Sequence, residues 1–362
     1  MVACVIAFLH AAPQVVSRAA WALLLTSAIV LGASDLSAES TDPSMARLPP
    51  VWSTVPPVAP VARSLSGNDD PLLDEFDKPV DFVPASGACD EILVPKYRLL
   101  DPLSVFMGLD GSKQPQDFGI NAQFGGRAAV NWAVPLIESL GIGAQIGTAI
   151  DATGDAVQVQ QRILGSTGRT QSYTTVGVFQ RTEMGLFWGL AYDFLREDYY
   201  DNFSLGQWRF NVGYMISPRS TIGVWSTISA QSDSGTFGAT PVTLVPISQT
   251  NAYYKYVWPN AVQTTFWGGL ANEHGQVNAV LGDLRELHNT FVFGAELQIP
   301  LTDRLAIFGQ ANFITPASSG TVDSYLGFVY FPHGGARRVV QSSFAPLQTV
   351  AAPTNFAVDL RR

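Results

Sequence analysis

The residue types that could do chemistry are concentrated in one stretch near position 280. Two histidines and three acids lie within it: Glu273, His274, Asp283, Glu286 and His288. Imidazole and carboxylate groups are metal ligands, so the stretch could bind a metal ion. The alternative is a solvated polar loop, the usual role of such charge-rich segments. Apolar residues at near-helical spacing over 276–288 also predict a short helix there. We favour the solvated loop and expect no metal or other cofactor.

Known catalytic motifs are missing from the sequence. There is no Gly-x-Ser-x-Gly, Cys-x-x-Cys or His-Glu-x-x-His pattern. Gly141, Gly143 and Gly147 come near a dinucleotide-binding pattern, but their spacing is wrong and no helix is predicted after them. We therefore interpret them as inward-facing strand glycines and predict that the protein is not an enzyme. A barrel enzyme with His274 at the outer rim remains a third alternative.

Composition restricts the protein class before any element is assigned. Only 14% of the 362 residues are charged and 11% are aromatic. Soluble domains typically have about 25% charged residues. The net charge of −9 argues against a nucleic-acid partner, which requires a basic surface. These totals favour a chain that faces lipid without having the long apolar helices of other membrane proteins.

Two segments precede the region that we expect to fold. Residues 19–33 form an uncharged apolar run after Arg18, and Ala38 is a small residue suited to cleavage. This pattern predicts a secretory signal peptide over 1–38, the alternative being a membrane anchor. Residues 39–100 are rich in proline and acidic residues. They predict a largely disordered periplasmic segment.

From residue 101 onward the sequence shows runs of period-two alternation bounded by turn residues, which is typical of strands. Short and long connections alternate between these runs. Bacterial outer-membrane barrels have short periplasmic turns, longer extracellular loops and an even strand number. The sequence therefore predicts an all-β fold, an antiparallel up-and-down transmembrane β-barrel of about 12 strands over 101–332. A C-terminal tail follows at 333–362, and both termini are expected on the periplasmic side. The predicted strands are 102–109, 119–133, 140–151, 173–182, 185–195, 206–217, 219–231, 250–258, 262–272, 290–300, 304–314 and 322–331.

The two faces of each predicted strand differ in character. In strand 206–217, Trp208, Phe210, Val212, Tyr214 and Ile216 form an apolar stripe, which we assign to the lipid side. The alternative is a soluble sandwich, but the polar faces are too poor in lysine for an exposed sheet. Those polar faces carry glycines, amides and isolated charges, which we assign to the lumen. Six charged residues are predicted to line it and tune the passage of solutes: Arg127, Arg181, Asp193, Arg209, Lys255 and Glu296.

The segments 108–121 and 308–313 give residues 97–332 a resemblance to a bacterial outer-membrane β-barrel family of uncharacterised function. The resemblance implies export to the outer membrane and insertion by the outer-membrane assembly machinery. Such barrels commonly end on an aromatic residue that this machinery reads, whereas this chain continues past Phe331. The resemblance then implies that Gly327, Tyr330 and Phe331 act as an internal version of that signal.

The sequence predicts a passive, porin-like channel for small solutes in the outer membrane. A structural or adhesive envelope barrel that acts through its extracellular loops is the alternative, because a barrel of this size can be filled by side chains. The expected partners are outer-membrane lipid, the assembly machinery and small solutes, without nucleic acid.

Overall fold

Twelve antiparallel strands close into a barrel in the computed structural model, which confirms the predicted fold class. The structure describes residues 101–117, 122–156, 168–272, 290–315, 321–338 and 344–361. The predicted signal peptide, the proline-rich segment and the predicted helix at 276–288 lie outside these residues. The barrel strands are β1 (Ser104–Lys113), β2 (Gln123–Ile137), β3 (Ile142–Asp155), β4 (Gly168–Arg181), β5 (Leu186–Asp198), β6 (Asn202–Ser217), β7 (Ser220–Gln231), β10 (Gln249–Val257), β11 (Gln263–Ala271), β12 (Thr290–Pro300), β13 (Leu305–Ile314) and β14 (Thr321–Tyr330).

Three further strands form a small sheet of their own: β8 (Asp233–Phe237), β9 (Thr240–Pro246) and β15 (Val358–Arg361). The described helical segments are two single 3-10 turns, Pro115–Asp117 and Glu138–Leu140. No helix among the described residues is long and apolar enough to span a membrane.

Each barrel strand pairs with its neighbours in sequence, with two exceptions: β1 pairs with β14 to close the barrel, and β7 pairs with β10 because the β8–β9 hairpin intervenes. Residues 232–249 were predicted to be a loop, so this hairpin is a difference from the prediction. A second difference lies at 196–205, which was also predicted as a loop. There β5 and β6 extend the ladder until only residues 199–201 connect them. Short and long connections therefore do not alternate strictly.

The apolar stripe of β6 faces outward, as the alternation predicts. Trp208, Val212 and Ile216 are 42%, 52% and 58% exposed, although they are large and apolar. Other barrel strands also carry large apolar residues on their outer face, including Ile146, Phe266 and Phe328. In a closed barrel, the backbone N–H and C=O groups of each strand form hydrogen bonds with the neighbouring strands. An apolar outer surface on such a barrel is therefore stable in lipid. The closed barrel and its apolar outer surface make this an outer-membrane β-barrel protein.

The C-terminal segment differs most from the prediction. Beyond β14 the chain turns at the short-turn end, where the Phe331 and Ala336 amides donate to the carbonyls of Arg304 and Asp303. We predicted a C-terminal tail over 333–362, with both chain ends on the periplasmic side. Instead, residues 344–357 lie inside the barrel, and β15 pairs with β9 at the long-loop end. We call residues 344–361 the lumen segment.

Candidate functional site

The lower part of the lumen segment is held by side chains of the barrel wall that bind its backbone. Near the short-turn end, the Arg181 guanidinium donates to the Ala345 and Pro346 carbonyls. One level higher, the amides of Asn131 and Gln145 both donate to the Gln348 carbonyl, at 2.9 and 3.0 Å. These bonds recognise an extended backbone, and they satisfy carbonyls that would otherwise be buried without partners.

Two wall glycines make room for the lumen segment. A Cβ at Gly147 would meet the Val350 side chain, and one at Gly189 would lie 2.7 Å from Leu347 Cδ2. Both Cβ positions are too close for a real contact, so a larger residue at either position would force side chains of the lumen segment to shift. Gly143 and Gly147 face the lumen, as predicted, whereas Gly141 occupies the turn between β2 and β3 with a φ of 63°.

The upper part of the segment is held by apolar burial. Phe356, Val358 and Leu360 are fully buried in a cluster with Tyr173 and Leu195 of the wall. Full burial of each such side chain contributes about 1.5–3 kcal/mol. Pairing of β15 with β9 adds a backbone ladder from Val358↔Pro246 to Arg361↔Thr243. The long-loop end therefore holds the segment by both packing and strand pairing.

Arg127 connects the wall to the segment at mid-height. Its Nη1 donates to both Asp151 oxygens at 2.8 and 2.7 Å, and its Nη2 donates to the Ala351 carbonyl at 2.7 Å. The guanidinium also lies 5.6 Å from the ring centroid of Tyr173 and 5.2 Å from that of Tyr325. A buried cation needs a paired charge and satisfied donors, and Arg127 has both.

A second ion pair repeats this arrangement on β5 and β6. Arg209 Nη2 lies 2.9 Å from Asp193 Oδ1 and donates to the Thr349 carbonyl at 2.7 Å. Asp193 also accepts from Thr175 Oγ1 and Gln207 Nε2. Gln207 in turn donates to the Asn355 carbonyl at 2.9 Å. These wall arginines and side-chain amides of the wall thus all donate hydrogen bonds to carbonyl groups of the lumen segment.

A charged cluster lies nearer the long-loop end. Arg169 Nε is 3.1 Å from Glu197 Oε1, and its Nη1 is 3.6 Å from Asp117 Oδ1. Burial raises the pKa of Asp117 to about 7, although Arg169 acts in the opposite direction. Outside the barrel wall, backbone amides of Thr236 and Asn202 bind Asp201 and lower the pKa of that carboxyl. The latter bonds fix the β8–β9 hairpin against the turn between β5 and β6.

A cavity of about 390 Å³ remains beside the lumen segment, and its lining includes residues of β6, β7 and β10–β13. Lys255 and Glu296 line it, and Glu296 accepts hydrogen bonds from Thr265 and Gln310 at 3.4 and 3.2 Å. Trp225 and Trp267 pack edge to face above these groups, at 6.1 Å between ring centroids. They adjoin a buried apolar cluster that includes Val292 and Ala357.

All six charged residues predicted to line the lumen face the interior. They were expected to face passing solutes, but most contact other protein groups. Arg127, Arg181 and Arg209 bind the lumen segment, while Lys255 and Glu296 border the cavity. Their role in tuning the passage of solutes stays a prediction.

The sequence reading missed further interior charges, including Asp151, Arg169 and Glu197, because the predicted strands stopped at or short of these positions. Extending the same period-two register along β3, β4 and β5 would have found all three. Among the described residues, no group of three or more His, Cys, Asp or Glu side chains could hold a metal ion. The predicted candidates at 273–288 lie outside those residues.

The chain belongs to a family of unknown function, DUF6666, whose model matches residues 102–358. That match extends through most of the lumen segment. No curated protein sequence matches the chain.

Several solved structures of outer-membrane proteins are similar in fold. Outer membrane phospholipase A from Escherichia coli is 8% identical, with a TM-score of 0.36 over 63% of this chain and 89% of that one. The translocator domain of the autotransporter NalP from Neisseria meningitidis is 9% identical, with a TM-score of 0.40 over 63% and 87%. The toluene transporter TbuX from Ralstonia pickettii is 10% identical, with a TM-score of 0.37 over 64% and 90%. At these identities the likeness concerns the fold alone.

Proposed function

We propose that this DUF6666 barrel is a structural protein of the outer membrane that is closed by its own C-terminus. The observation that carries the proposal is the position of residues 344–357 inside the lumen. A passive porin needs an aqueous path, whereas here the segment is bound at several levels between Arg181 and Leu360. With the lumen occupied, the ends of the barrel are the surfaces left for contact with other envelope components.

The long-loop end is the extracellular end in barrels of this kind. It carries the β8–β9 hairpin and β15, so these strands would lie on the cell-surface side of the barrel. This arrangement favours the structural or adhesive alternative over an open channel. The absence of catalytic activity and the role of Gly327, Tyr330 and Phe331 in assembly both stay predictions.

A gated passage for small solutes is the second candidate. The cavity of about 390 Å³ beside the segment favours it, because a wall that already leaves space needs less rearrangement to open. In such a passage the lumen segment would be the part that moves. The two candidates differ in whether any stimulus produces a path across the barrel.

Conductance of the purified, folded protein in planar bilayers tests the proposal. Folding is verified first by heat-modifiable migration on a denaturing gel. We expect no steady conductance from the wild-type barrel, because the segment and the apolar clusters around Val292 and Leu195 block the path. A steady, reproducible conductance at low voltage would contradict the closed barrel and favour the porin-like channel.

A further inference from the structure

We propose that the cavity beside the lumen segment is a binding site for a small organic anion that enters from the periplasmic end. Its lowest lining residues, including Pro218, Gly334 and Arg338, belong to the short-turn end of the barrel. Its volume of about 390 Å³ falls within the range of small-molecule pockets, roughly 300–1,000 Å³. This inference does not depend on whether the barrel conducts.

Lys255 is the group that would select an anion. Arg127 and Arg209 also line the cavity, but each has its own carboxylate partner. The distances are 2.7 Å from Arg127 Nη1 to Asp151 Oδ2 and 2.9 Å from Arg209 Nη2 to Asp193 Oδ1. Within the described part of the chain, Lys255 makes no salt bridge within 4.0 Å and no side-chain hydrogen bond. A cation in such a site gains a partner when an anion binds, which is the basis of charge-assisted recognition.

Glu296 is the acid that interacts electrostatically with Lys255, but the two side chains make no salt bridge within 4.0 Å. It faces the same cavity, but its carboxylate oxygens accept from Thr265 Oγ1 and Gln310 Nε2 instead.

The walls around Lys255 fit an apolar body attached to the anionic group. Trp225 and Trp267 form one side, and Tyr253 lies below them with its hydroxyl donating to Asn211 Oδ1 at 3.1 Å. Pockets that bind small molecules combine such aromatic walls with few polar groups that fix orientation. A compact monocarboxylate with an aromatic or short aliphatic body has this chemistry.

Isothermal titration of the full-length folded protein with sodium benzoate tests the inference, with benzamide as the neutral analogue of the same shape. We expect saturable binding of benzoate and binding of benzamide at least about tenfold weaker, because only the carboxylate pairs with Lys255. Lys255→Met should weaken benzoate binding at least about tenfold and leave benzamide unchanged. Lys113→Met, at the long-loop end, is the matched control and should bind benzoate as the wild type does.

Equal affinity of the wild type for benzoate and benzamide would overturn the proposal, even if Lys255→Met does not fold. Lack of saturable benzoate binding by the folded wild type would also overturn it. Neither result bears on bilayer conductance, so a failure here is distinct from a failure of the closed barrel.

Discussion

Removal of residues 344–362 is expected to turn a closed barrel into a conducting one. The truncated lumen would lose the backbone that Arg127, Arg181 and Arg209 bind, and no described strand of the barrel wall would be removed. We expect steady conductance in planar bilayers where the full-length protein shows none. The truncated barrel should also be less stable, since burial of Phe356 and Leu360 alone contributes about 3–6 kcal/mol.

A full-length variant separates displacement of the segment from its removal. Leucine at both Gly147 and Gly189 would occupy the space of Val350 and Leu347, so the segment should leave the lumen. The expected result is conductance in the full-length chain. Gly268→Leu is the matched control, because a Cβ at Gly268 meets only the Val292 carbonyl oxygen at 3.8 Å. Silent bilayers with the folded double variant would show that the segment does not close the barrel.

Loss of the Arg127 guanidinium is expected to have the second largest effect. Arg127→Met would leave the Asp151 carboxylate fully buried without its cation and would break the bond to the Ala351 carbonyl. Breaking one side of a buried ion pair costs about 3–5 kcal/mol. The free energy of unfolding from urea titration in detergent micelles measures this cost.

Two further variants test whether the unpaired buried charge of Asp151 causes the loss of stability. Replacing both partners, Arg127→Met with Asp151→Leu, should recover a large part of the loss, because no buried charge is then left unpaired. Arg304→Met, at an exposed short turn, should change the free energy of unfolding by less than about 1 kcal/mol. A loss at Arg127 as small as the loss at Arg304 would mean that the ion pair does not support the segment.

The barrel could be predicted from the sequence because its pattern is local. Every second residue of a strand faces lipid, so the stripe from Trp208 to Ile216 indicates both a strand and its orientation. The loops were predicted less well. Residues 232–249 contain the β8–β9 hairpin. The strands around 199–201 continue beyond the apolar stripe through charged residues such as Arg196 and Glu197, which resemble a polar loop.

The contents of the lumen could not be predicted from alternation, because a polar inner face is the same whether water or protein covers it. One signal was present in the composition. Residues 344–358 contain no charged side chain, which is unusual for a solvated tail. Pro346 and Pro353 prevent a regular helix or strand in this stretch. The binding of its carbonyls by Arg127, Gln145 and Arg209 depends on pairings between distant strands, which the sequence alone does not show.

The position of the C-terminus on intact cells tests the central claim most directly. An epitope tag added after Arg362 should be labelled by antibody on whole cells, because β15 ends at the long-loop end of the barrel. The same tag inserted after Gly335, at the short-turn end, should be labelled only after the outer membrane is permeabilised. If the tag after Arg362 also requires permeabilisation in a folded barrel, the segment does not pass through the lumen and the closed-barrel account is wrong.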